Sequence, residues 1–197
     1  MGLLSRLRAP AGDGPIWALD LETSGLEPRH HEILSAGMVP IRGGTIRWGE
    51  RYHSLVRPGD PAAVSPEGIG AHQIVPAELA AAPPLAEVLA EIDRRLREGV
   101  VLLHHAPLDL AFLRLAYRRC GRRWPRPRVI DTVDLLLRRQ RRGLGAAANV
   151  SAAPVGSLTA ARRQLGLPPH DAHHALADAL ATAELYLALR GADAGWW

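Results

Sequence analysis

The chain has 197 residues, 47% of them hydrophobic and only 5% aromatic, and its formal charge of +4 at pH 7 rests on arginine alone, since it contains no lysine. That length and apolar content suit one domain with a full core, and so few aromatic side chains argue against an aromatic-rich β-sandwich and for an α/β fold built from Leu, Val, Ile and Ala. The single cysteine, Cys120, excludes an intrachain disulfide, and no apolar run reaches the length of a membrane span or a secretory core, so a soluble cytoplasmic protein is expected.

Residues 1–14 read as a Gly/Pro-containing tail, expected to be mobile. The segment IWALDLETSGL, residues 16–26, is an apolar run that carries two carboxylates and breaks at a glycine. Strand alternation sets Asp20 and Glu22 on one face and Trp17, Leu19 and Leu21 on the other. Two acids side by side in so apolar a segment repel one another, and a divalent metal is the simplest compensation. An edge strand with both acids on a solvated face is the competing reading.

Residues 32–42 and 45–57 are two further strand-like runs, joined by Gly43-Gly44 as in a hairpin. Residues 58–84 form a Pro- and Ala-rich connection, containing His72, that is too broken for a long helix. Leu85 to Glu98 has helical apolar spacing, with Arg94, Arg95 and Arg97 expected to turn largely outward. Val100 to His104 reads as a short buried strand, and Leu108 to Cys120 as a helix with Asp109 near its start. Val129 to Thr132 is another brief strand and Leu135 to Arg142 another helix. An Ala/Gly-rich loop covers residues 143–156, and helices over 158–165 and 175–190 complete the chain.

Asp109 at a helix entry favours the helix dipole whether or not it has another role. Asp178 is more telling, because a helix reading ALADALATAEL is buried on most sides and an acid there needs a partner. His173 stands five residues earlier, which is no same-face spacing on a helix, so it belongs to an irregular lead-in or first turn. Four acids and one histidine thus come from three distant segments. Hard divalent cations bound through oxygen suit such carboxylates, and a pair of them suits phosphoryl hydrolysis.

The segments LDLETSGL (19–26), HHAPLDLAFL (104–113) and HHALADA (173–179) resemble the three motifs of the DEDDh branch of 3'-to-5' exonucleases, the group that includes the proofreading epsilon subunit of bacterial DNA polymerase III. AHQIV (71–75) resembles the family's His-Gly-Ile element, and VIDT (129–132) with SLTAARRQLGL (157–167) resembles the stretch before the third motif. The resemblance spans roughly residues 15–190, leaving 1–14 and 191–197 as tails. It implies a ribonuclease H-like fold, a mixed five-stranded sheet with the second strand antiparallel and helices on both faces.

It further implies two Mg2+ or Mn2+ ions held by Asp20, Glu22, Asp109 and Asp178, with His173 as general base. Thr23, Leu26, His72 and His105 fall where the family binds the 3'-terminal nucleotides. The implied reaction releases nucleoside monophosphates from the 3' end of single-stranded DNA. An exoribonuclease of the same family and a non-catalytic nucleic-acid-binding module are the alternatives. His105 replaces the family's usual Asn, Leu108 a common aromatic residue and Gln73 the usual glycine; the first two bear on strand holding rather than on metal binding.

The chain ends soon after its last helix, without a long polymerase-binding tail. A stand-alone or accessory enzyme, serving a DNA polymerase or other repair protein, is therefore expected. The cluster His170, Asp171, His173 and His174 admits a transition-metal or HD-type phosphohydrolase site as a rival, but the opening strands and Pro168-Pro169 oppose it. Arg114, Arg118, Arg119, Arg122, Arg123, Arg126 and Arg128 along one helix and loop either steer a phosphate backbone or form a solvated basic face.

Overall fold

The computed structural model describes residues 14–60, 74–143 and 156–194. His72, Gln73, most of the Ala/Gly-rich loop, residues 1–13 and residues 195–197 lie outside the described residues, and the last helix runs four residues further than expected, to Ala194.

Strand β1 (Ile16–Thr23) is the middle of the sheet. It pairs antiparallel with β2 (Ile33–Arg42) on one side and parallel with β5 (Val100–Leu103) on the other, and β6 (Arg128–Asp131) continues the parallel half. The mixed sheet with an antiparallel second strand is the expected one. It has six strands rather than five because the run over 45–57 is not continuous. A 3-10 turn at Trp48–Glu50 divides it into β3 (Thr45–Ile46) and β4 (Tyr52–Leu55), which pair with successive stretches of β2.

Helix α1 (Pro76–Ala81) is one short turn-and-a-half within the Pro-rich connection, opened by its proline and anchored by buried Leu79. Helix α2 (Leu85–Glu98) and α3 (Ala106–Arg119) cover one face of the sheet. Trp17, Leu19 and Leu21 of β1 pack there with Leu89 and Ile92 of α2 and Phe112 and Leu113 of α3. Helix α4 (Thr132–Gly143) follows β6 directly, α5 (Leu158–Gln164) is short, and α6 (Ala175–Ala194) covers the opposite face, where Ile16 and Ala18 meet Ala183 and Tyr186.

Arg95 is a correction to the outward reading of its helix. It is 7% exposed, its guanidinium carbon lies 4.2 Å from the Tyr52 ring centroid, and it donates to the Glu91 carboxylate at 2.7 Å. A planar cation can stack on an aromatic face while keeping one ion pair, which makes its burial tolerable. Helix α4 starts three residues earlier than the periodicity suggested, because Asp131 caps it: its Oδ1 accepts from the Val133 amide at 2.9 Å.

Candidate functional site

The alternation of β1 decides which acids can meet. Odd-numbered Trp17, Leu19 and Leu21 are spent on the α2/α3 layer, which leaves Asp20 and Glu22 on the face that α6 covers. Asp178 lies in the first turn of α6. Asp20, Glu22 and Asp178 each offer an oxygen, and the three oxygens lie within 4.8 Å of one another; among the described residues this is the only such group of carboxylate, imidazole or thiol donors. The histidine-rich rival site therefore has no counterpart there.

Asp109 reaches the same place from the other layer. It is in the first turn of α3, just past the carboxyl end of β5, and is 8% exposed. It stands outside the tight trio, yet after burial its charge is the largest influence on Asp20. The site is thus at the carboxyl ends of the parallel strands β1 and β5, where α/β sheets commonly open their crevices.

The electrostatics of the site are those of uncompensated negative charge. Burial first, then the charges of Asp109, Asp178 and Glu22, raise Asp20 well above the usual carboxylate range. Burial, then Asp178 and Asp109, raises Glu22 to about 7. Burial raises Asp109 to about 7 as well, against the pull of backbone hydrogen bonds from its own amide and that of Leu21. Among the described residues no arginine forms an ion pair with Asp20, Glu22 or Asp109. A partly buried all-oxygen donor set in which only Asp178 has a basic side-chain partner among the described residues, His170, fits hard divalent cations.

His173 occupies the turn before α6 with φ 67°, a left-handed conformation. That backbone turns its amide onto Asp178, donating to Oδ2 at 2.8 Å. Its residue lines a cavity of about 270 Å³ that also borders Glu22, Ser35, His53, Ile74 and His174. The His53 and His174 rings stand 4.8 Å apart, and His53 Nε2 lies 3.0 Å from Ser35 Oγ. Burial lowers His53 below the usual histidine value, with His174 adding to the effect.

Of the remaining expected site residues, Thr23, Leu26 and His105 do not line that cavity. Thr23 closes β1, and its hydroxyl donates to the Gly25 carbonyl at 2.8 Å, holding the turn that follows. Leu26 is 75% exposed on that turn. His105 is exposed and left-handed at φ 64°. His72 is outside the described residues.

Sequence reasoning missed two supports of this site. Asp131 accepts from the amides of His105 at 3.0 Å and Ala106 at 2.8 Å as well as from Val133, so one carboxylate pins the start of α3 to the end of β6. An acid directly before a helix is an N-cap signature, and the signal was present in VIDT. The second support is His170, whose Nε2 lies 2.7 Å from Asp178 Oδ1. No spacing rule finds that contact, because it is made across an irregular loop.

The exonuclease family model matches residues 17–186 of this chain. Over 178 residues the chain is 34% identical to the PolC-type DNA polymerase III of Thermotoga maritima, covering 89% of this chain and 12% of that protein. It is 36% identical over 173 residues to the DNA polymerase III subunit epsilon-like protein of Rhodobacter capsulatus, covering 86% of this chain and 23% of that one. Zinc-bound Escherichia coli exonuclease I in complex with single-stranded DNA superposes with a TM-score of 0.75 at 18% identity, over 90% of this chain and 41% of that one. That likeness is one of fold. No helix among the described residues is long and apolar enough to cross a membrane.

Proposed function

The chain belongs to the exonuclease family, and on that premise we propose that it is a metal-dependent 3'-to-5' exonuclease that removes nucleoside monophosphates from the 3' end of single-stranded DNA. The observation that carries this reading is the convergence of Asp20, Glu22 and Asp178, with Asp109 beside them, in a partly buried setting where, among the described residues, no arginine pairs with Asp20, Glu22 or Asp109. We assign the catalytic domain to residues 15–190, with 1–14 and 191–197 as tails.

Asp20, Glu22, Asp109 and Asp178 would hold two divalent cations, Mg2+ or Mn2+. Bound there, such cations would supply charge neutralisation at the scissile phosphate and the leaving 3' oxygen and would acidify the attacking water. His173 receives the proton of that water on a ring nitrogen, a general-base role open to an imidazole at the cavity wall. Thr23, Leu26, His72 and His105 are the proposed contacts of the terminal nucleotides. A DNA polymerase or another repair protein is the proposed partner, and the cytoplasm the proposed location.

The test uses single-stranded DNA and RNA oligonucleotides labelled at the 5' end, with Mg2+, Mn2+ or chelator, and Asp20→Ala as the control. A metal-dependent ladder that shortens from the 3' end on DNA, absent in the variant, is the expected result. A ladder on RNA alone would make the chain an exoribonuclease, and binding without any ladder a non-catalytic module.

A further inference from the structure

His170 is partly buried together with Asp178, their side chains 9% and 13% exposed. Asp178 receives two hydrogen bonds from the same loop, from His170 Nε2 on Oδ1 at 2.7 Å and from the His173 amide on Oδ2 at 2.8 Å. Two donors on opposite oxygens fix the plane of a carboxylate. The lone pairs that they leave free on Asp178 are those available to the space it shares with Asp20 and Glu22.

The loop that delivers His170 is itself tied down. Arg162 is 2% exposed, and its guanidinium donates to the Pro168 carbonyl at 3.0 Å and to the Ala181 carbonyl at 2.8 Å while pairing with Glu184 at 2.8 Å. Pro168 and Pro169 then restrict the backbone immediately before His170. The imidazole therefore approaches Asp178 from a rigid mount. His170 Nδ1 is buried without a hydrogen-bond partner among the described residues, so the ring has no competing polar attachment to draw it from the carboxylate.

From this geometry we infer that His170 is a positioning residue, distinct from the general base, that holds Asp178 in the orientation needed to bind a divalent cation. The inference rests on the reading of the acids as metal ligands. It follows the rule that groups hydrogen-bonded to a metal's ligands set its affinity through orientation.

The experiment is a calorimetric titration of MnCl2 into the metal-stripped full chain, compared across wild type, His170→Met, His170→Gln and Asp20→Asn. His170→Met fills the buried space without a donor, and His170→Gln restores one at similar reach. We expect His170→Met to weaken Mn2+ binding by about tenfold, the size typical of lost partners to metal ligands, and His170→Gln to stay close to wild type. In the nuclease assay, His170→Met should recover turnover when Mn2+ is raised by about the same factor, with KM for DNA unchanged. Unchanged Mn2+ affinity in His170→Met, alongside lost binding in Asp20→Asn, would overturn the proposal and leave the metal reading intact. Retained binding in Asp20→Asn would overturn both.

Discussion

Gly37 of β2 stands directly opposite Asp20 in the β1–β2 register, and a Cβ at Gly37 would overlap the backbone of Ala175 and Leu176 at the start of α6. The absent side chain is what allows the first helical turn to lie against the sheet. Asp178 follows three residues after Ala175, so the close approach sets how near it comes to Asp20. Gly37→Ala should destabilise the chain by about 2 kcal/mol, an ordinary overpacking cost where only backbone could move aside. The melting temperature should drop by roughly 4–8 °C and Mn2+ affinity should fall with it. Thermal melts with and without Mn2+ check both, and a variant that melts like wild type would contradict the role given to Gly37.

The acids also set a pH dependence. Glu22 and Asp109 rise from ordinary values of 4.5 and 3.8 to about 7 in the metal-free fold. The folded chain therefore binds more protons than the unfolded chain between about pH 4 and 7, so the stability these groups contribute is fully present below about pH 4 and is lost as pH rises through about 7. In chelator, the melting temperature should fall between about pH 5.5 and 8. Cations take the place of those protons, so the rise in melting temperature on adding Mn2+ should be larger at about pH 8 than at about pH 5.5. Asp20→Asn should melt at or above wild type in chelator, having one acid fewer in the mutually repelling cluster, and should not respond to Mn2+. Melts in matched buffers decide; a metal response that is greatest in acid would count against the shared-proton account.

Asp131 accepts three amide hydrogen bonds, from His105, Ala106 and Val133. Asp131→Ala leaves those donors unmet and removes the cap of α4, which should cost about 2 kcal/mol. The urea midpoint should fall with the slope unchanged. Nuclease activity should fall as well, because the turn at His105 and the first turn of α3 carry Asp109. A stability loss with full activity would show that Asp109 keeps its place without this support.

Arg122 and Arg123 are exposed in the stretch after α3, within the basic run that extends from Arg114 to Arg128. If they contact the backbone of a bound strand, Arg122→Gln with Arg123→Gln should weaken binding of a long single-stranded oligonucleotide. The slope of log affinity against log salt should flatten by about 1.4, two contacts at the value for single strands. Fluorescence anisotropy across a salt series measures this. An unchanged slope would make the arginines a solvated face.

Much of this architecture was legible one segment at a time. The two-residue period of IWALDLET separates the apolar residues from Asp20 and Glu22 without reference to anything distant. The 3.6-residue spacing over Leu85 to Glu98 gave that helix with its observed bounds. Arg95 was misread because composition marks an arginine as outward, while its stacking on Tyr52 depends on a strand more than forty residues away in sequence. The break at Trp48–Glu50 was missed because an apolar run with one glycine reads the same whether it stays straight or turns between two pairings with β2.

For the site, the sequence determined which groups are present and which face of β1 bears two of them, since alternation and residue type are local properties. Only the tertiary structure decided that Asp178 arrives over Gly37, that Asp109 reaches Asp20 from the opposite layer, and that His170 rather than the His173 ring contacts Asp178. Those relationships depend on how far helices approach a sheet and where a left-handed turn aims an amide. Such distances arise from packing between segments that no spacing within one segment encodes.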